Sequence, residues 1–112
     1  MGEQTTFKDM GYTNLILNDL PPWDLGSVVG TTAVVDLAVD IFPYLVRHKN
    51  ADFGDQTIEE KSHNYSAMLS GYPVRSKYDL VTPDGRVASI YIETNAKRTK
   101  TAVCLVEEYD LL

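Results

Sequence analysis

The chain reads as an α+β domain, with two to three helices packed on one face of a C-terminal three-stranded antiparallel meander. Three observations carry this reading. Residues 75–109 hold two runs of alternating apolar and polar side chains and one apolar run, separated by turn residues. Residues 57–71 open with a capping box and close on glycine. Residues 31–49 carry apolar side chains at helical spacing.

The elements follow in order. Residues 1–22 lack periodicity and form an N-terminal extension to a single domain over 23–112. Within the extension, Asn14-Leu15-Ile16-Leu17 fits a short strand or one helical turn. Pro21-Pro22 ends it, because proline lacks an amide donor and restricts the residue before it. Trp23 is expected at the edge of the core. Residues 26–30, Gly-Ser-Val-Val-Gly, form a brief extended segment. Thr31 or Thr32 then caps a helix whose Val34, Leu37, Ala38 and Ile41 make one apolar stripe. Pro43 stops that helix near Asp40, and a second starts there with proline in its first turn. It ends on Arg47, His48 and Lys49, cations that suit the negative end of a helix.

Thr57 and Glu60 make the capping box of the next helix, with Gly71 as its left-handed stop. Ile58, Tyr65, Met68 and Leu69 are expected on its core face, with Glu59, Lys61, Ser62 and His63 toward water. In the meander, Tyr78 and Leu80 alternate with Lys77 and Asp79, and Ala88, Ile90 and Ile92 with Ser89, Tyr91 and Glu93. Thr82-Pro83-Asp84-Gly85 is a tight turn. Residues 95–100 form a basic loop, and residues 102–106 are apolar on both faces, which leaves their orientation open.

Composition narrows the function classes. The 44% hydrophobic and 23% charged residues are those of an ordinary globular domain. A single cysteine, Cys104, cannot form an internal disulfide and fits a reducing, cytoplasmic setting. No apolar run nears the roughly 18 residues of a membrane span. The start, Met1-Gly2-Glu3, is a degenerate match to an acylation pattern, and Asn64-Tyr65-Ser66 is a formal glycosylation sequon. The net charge of −6 is uneven: residues 1–60 hold ten acids against three bases, and residues 61–112 six acids against seven bases. The acidic half disfavours general nucleic-acid binding and suits a basic partner. No motif calls for a cofactor.

The chain resembles a family of small bacterial proteins known as "plasmid-related protein", encoded on plasmids and on integrative and conjugative elements. The resemblance covers about residues 26–109. It rests on Arg47-His48, Asp52-Phe53-Gly54-Asp55, Asn64, Ser76-Lys77-Tyr78, Thr94 with Arg98 and Thr101, and Glu107-Glu108-Tyr109. It implies a mobile-element accessory protein and no particular reaction. Two departures stand out. Asn95 and Lys97 replace an acidic pair expected after the second meander strand, which argues against carboxylate chemistry in that loop. Ala51 stands where the family favours glycine, which argues against a turn that depends on glycine.

Three functional readings follow. The first is protein–protein binding by the acidic half, through Asp52, Asp55, Glu59 and Glu60, with counter-defence against a restriction or CRISPR nuclease as the setting. The second is a nucleic-acid module using Lys97, Arg98 and Lys100, with Arg75, Lys77 and Arg86 and the rings of Tyr78 and Tyr91. Against it, Arg98 is equally suited to order its loop by bonding carbonyls. The third is metal-dependent or acid–base chemistry around His48, Asp52, Asp55, Glu59 and His63. Their spacing matches no recognised zinc or calcium loop, and a helix-end His48, turn-forming aspartates and a solvated His63 explain the same residues. Asp79, Asp84, Glu93, Glu107 and Glu108 admit a paired-carboxylate reading, but edge-strand charge accounts for them equally.

Overall fold

The computed structural model describes residues 25–109. The order is β1 (Ser27–Gly30), α1 (Thr32–Val35), α2 (Phe42–Lys49), α3 (Ile58–Ser70), β2 (Val74–Val81), β3 (Val87–Thr94), β4 (Lys100–Leu105) and α4 (Val106–Tyr109). The α+β class stands. The short strand or helical turn expected at 14–17, the proline stop and Trp23 lie outside the described residues. Among the described residues no helix is long and apolar enough to cross a membrane.

The sheet corrects the three-stranded expectation. It has four strands in the order β1-β4-β3-β2 and is mixed. β2, β3 and β4 pair antiparallel in sequence, with Tyr78 opposite Ile90 and Ile92 opposite Val103. β1 adds in parallel to β4, with Val28 opposite Thr101. Parallel pairing needs a long crossover, and here the crossover is nearly the whole domain. Local sequence carries no signal of it. Gly26 lets β1 approach: its φ is +65°, and a Cβ there would lie 2.1 Å from the Thr99 carbonyl carbon.

One sheet face carries the core of Val34, Leu37, Tyr78, Leu80, Ile90, Ile92 and Val103, with Tyr44 and Leu45 packed against it. Phe53, Ala67, Met68 and Val74 form a second cluster near the start of β2. In β4, Thr101 and Val103 are buried in register with core-facing Thr94 and Ile92, which fixes the orientation that the sequence left open.

Three helices share the core face, as expected: α1 and α2 pack over its centre, and α3 sets Ala67 and Met68 against Val74, in line with Tyr78 and Leu80 along β2. α3 contacts β2, with Asn64 bonded to the backbone of Arg75, and α4 brings Tyr109 against Tyr91 on the other face. The first helix is one turn, not the expected two and a half. Thr31 caps it, accepting from the Val34 amide at 3.3 Å. It ends because Ala38 turns left-handed at φ +56°, after a stretch of Thr and Val with low helix propensity. The second helix begins at Phe42, slightly later than expected, with Ile41 rather than Asp40 at its N-cap, Pro43 in its first turn and Asp40 Oδ1 accepting from the Phe42 amide. α3 also forms as expected, with both capping-box bonds made and Gly71 at φ +80°. Its buried face is different: Asn64, Ala67 and Met68 point in, while Ile58, Tyr65 and Leu69 point out.

Candidate functional site

The outer edge of β2 is where the sequence's acidic residues gather. An edge strand presents unpaired amides and carbonyls, and this one is closed by the loop after α2 and by α3. Lys77 donates its amide to Phe53 and its carbonyl accepts from Asp55, so residues 53–55 run beside β2 like a short strand. Gly54 makes this approach possible. At φ +80° it sits so close that a Cβ would lie 2.0 Å from the Lys77 oxygen. Further along, the Asn64 side chain accepts from the Arg75 amide at 3.1 Å and donates to the Arg75 carbonyl at 2.6 Å. The buried carboxamide thus stands in for a neighbouring strand. Its burial also takes Asn64 out of reach as a sequon.

Asp52, Asp55, Glu59 and Glu60 are all exposed along this edge. Three of them are pinned. Asp52 pairs with Arg47 Nε at 2.7 Å and accepts from the Gly54 amide. The Arg47 hydrogen bond holds its carboxyl below the usual range. Asp55 accepts from the Asp79 amide at 2.8 Å. Glu60 accepts from the Thr57 amide at 2.9 Å, and this bond lowers its pKa. Glu59 has no such bond among the described residues. Ala51, before this loop, adopts φ +63°. The position therefore favours glycine after all, and the alanine is tolerated at a conformational cost.

The basic stripe is broken up by its own contacts. Arg98, at φ +59°, turns its guanidinium onto the end of α3. It donates to the carbonyls of Tyr72 at 2.8 Å, Asn95 at 2.9 Å, Ala67 at 3.1 Å and Met68 at 3.3 Å. It is a helix cap supplied by another element. Lys97 and Lys100 are exposed on either side of it. Tyr91 lies on the outer sheet face, its ring 4.4 Å from the Arg75 guanidinium. Tyr109 takes the same cation at 4.5 Å and meets Tyr91 edge-on. The expected platform for bases is thus already stacked on an internal arginine. Sequence reasoning missed this trio, because Tyr109 reaches Arg75 only through the turn from β4 into α4.

The metal candidates do not converge. Among the described residues, no three His, Cys, Asp or Glu side chains gather around a point. Asp55 is at the β2 edge, and His63 is exposed on α3, lining a cleft of about 470 Å³ with Glu59, Glu60, Arg75 and Glu93. His48 is fully buried, not displayed at its helix end. It sits in a chain of hydrogen bonds whose direction can be assigned. The Leu25 carbonyl can only accept, so Thr101 donates to it at 2.6 Å. Thr101 then accepts from Thr94 at 2.7 Å, and Thr94 from His48 Nε2–H at 2.9 Å. Nδ1 is left to accept from Ser76 at 2.5 Å. This chain suits a neutral imidazole. Burial, helped by the charge of Arg98, lowers its pKa to about 3. The remaining carboxylates are spread over local roles: Asp84 pairs with Arg86, Asp79 accepts from Ser89, and Glu108 accepts from Thr31.

No family model, no curated protein and no solved structure matches the chain.

Proposed function

We propose that this protein is a non-catalytic accessory protein of mobile genetic elements that acts by binding another protein, one with a basic surface. The observation that carries the reading is the exposed acidic flank of residues 52–60, with three of its four carboxylates pinned to the fold. Pinned charges need not be ordered on binding, so their attraction to a basic surface costs less side-chain entropy. Arg47 offsets Asp52, which leaves Asp55, Glu59 and Glu60 as the attracting set. A restriction or CRISPR nuclease, whose nucleic-acid groove is basic, is the partner class we favour, and counter-defence is the corresponding role. The nucleic-acid reading is weaker, since Arg98 and Tyr91 are engaged within the fold.

The test must remove charge without removing bonds. Asp55→Asn keeps an acceptor for the Asp79 amide, Glu60→Gln keeps the capping box, and Glu59→Lys touches no described bond. The triple variant should keep the wild-type melting temperature. In affinity capture from a bacterial lysate, followed by mass spectrometry and binding with the purified partner, it should lose a stoichiometric nuclease that the wild type retains. Capture of no partner by the wild type, or equal binding by the variant, would sink this reading.

A further inference from the structure

An open groove of about 740 Å³ lies between β1 and α2. Leu25, Val28, Phe42 and Val46 line it together with the cations Lys49 and Arg98, and no carboxylate is among its described lining residues. Val28 is 45% exposed, Phe42 67% and Val46 37%. β1 also ends the sheet. An apolar groove beside an edge strand is the kind of surface that folded proteins cover.

The adjoining stretch of chain has the chemistry to cover it. The chain enters the described structure at Leu25, which lines the groove and whose carbonyl accepts from Thr101 at 2.6 Å. Just before it, residues 15–23 hold Leu15, Ile16, Leu17, Leu20 and Trp23. Residues 9–24 carry the acids Asp9, Asp19 and Asp24 and no base, opposite in sign to Lys49 and Arg98. Residues two apart in an extended chain share a side, so Trp23 is within reach of the groove that Leu25 lines. A tether this short holds the segment at an effective concentration on the order of millimolar. A second copy has no such tether, and two of these grooves face to face would set like charges together.

We infer that residues 15–23 of the same chain dock on this groove, with Trp23 seated among Leu25, Val28 and Phe42 and with Asp19 and Asp24 toward Lys49 and Arg98. The groove is then the binding surface for the chain's own N-terminal segment. This inference is independent of the basic-partner reading, whose acidic flank follows β2 at the opposite edge of the sheet, and is tested on the purified full chain alone.

Trp23 is the single tryptophan of the chain, so its fluorescence reports the docking. In the native chain its emission should lie to the blue of the same chain in urea, and acrylamide should quench it about threefold less. Both readings should hold across a concentration series. Phe42→Glu puts an acid in the first turn of α2, where it suits the helix. It should leave the circular dichroism spectrum unchanged and raise the quenching to the level seen in urea. Asp19→Lys with Asp24→Lys should raise it as well, by setting cations against Lys49 and Arg98. Ile58→Glu, at an exposed position on α3, is the control and should leave the emission where it was. Trp23→Ala should uncover the groove and increase the binding of anilinonaphthalene sulfonate severalfold. Native quenching equal to that in urea, quenching indifferent to Phe42→Glu, or protection that grows with protein concentration, as a second copy would give, would overturn the proposal.

Discussion

His48 shows how one residue type carries opposite readings. In sequence it is a cation at a helix end and a metal candidate, while in the fold it is a sealed, neutral link between Ser76 and Thr94. Its folded pKa, about 3, lies below the 6.5 of the unfolded chain. The unfolded state therefore binds the extra proton between those values. The stability that His48 contributes is whole above pH 6.5 and is lost as the pH falls toward 3, by up to about 1.4 kcal/mol per pH unit. Melting temperature should drop between pH 6.5 and 5, above the range where Asp52, Glu60 and Asp84 titrate. His48→Gln keeps a donor and an acceptor and should flatten that slope. An equal slope in the variant would remove His48 as the cause. Ala51 makes the complementary case of backbone strain. Ala51→Gly should stabilise the fold by about 1 kcal/mol, read as a higher urea midpoint, because glycine adopts its φ of +63° without a Cβ penalty.

At the scale of elements, side chains replace backbone partners at two edges. Asn64 stands in for a strand beside β2, and Arg98 closes the carbonyl end of α3. Asn64→Leu keeps the volume but strips the Arg75 amide of its side-chain partner and leaves the Arg75 carbonyl with Gln56 Nε2 alone. It should cost about 2–3 kcal/mol by urea unfolding. Arg98→Lys keeps the charge but cannot bridge several carbonyls in one plane, and should cost about 1–2 kcal/mol. A stability-neutral Arg98→Lys would release Arg98 for a surface role. α3 also shows where periodicity reads correctly and assigns wrongly. Its limits, box and stop are local chemistry and were legible. Its inward face was not, because the apolar stripe of Ile58, Tyr65 and Leu69 faces away from the core and a polar asparagine faces in.

Across the whole molecule, the meander is local and β1 is not. β2, β3 and β4 follow each other through short turns, while β1 joins β4 across some seventy residues of chain. All four β1 residues are exposed. Native-state hydrogen exchange should therefore show β3 amides, paired on both sides, opening only with global unfolding. The β1–β4 pairing should open at markedly lower free energy. Equal protection of β1 and β3 would contradict this ordering. By itself the sequence determined the α+β class, the capped helix over 58–70, the tight turn at 82–85 and the alternation of β2 and β3. Each of these depends on contacts within a few residues. Only the tertiary structure decided that β1 completes a mixed sheet, that His48 is buried, that Arg98 caps a helix and that α3 turns its apolar stripe outward. Those outcomes depend on groups far apart in the chain, whose backbone and side-chain hydrogen bonds find partners only once the elements meet.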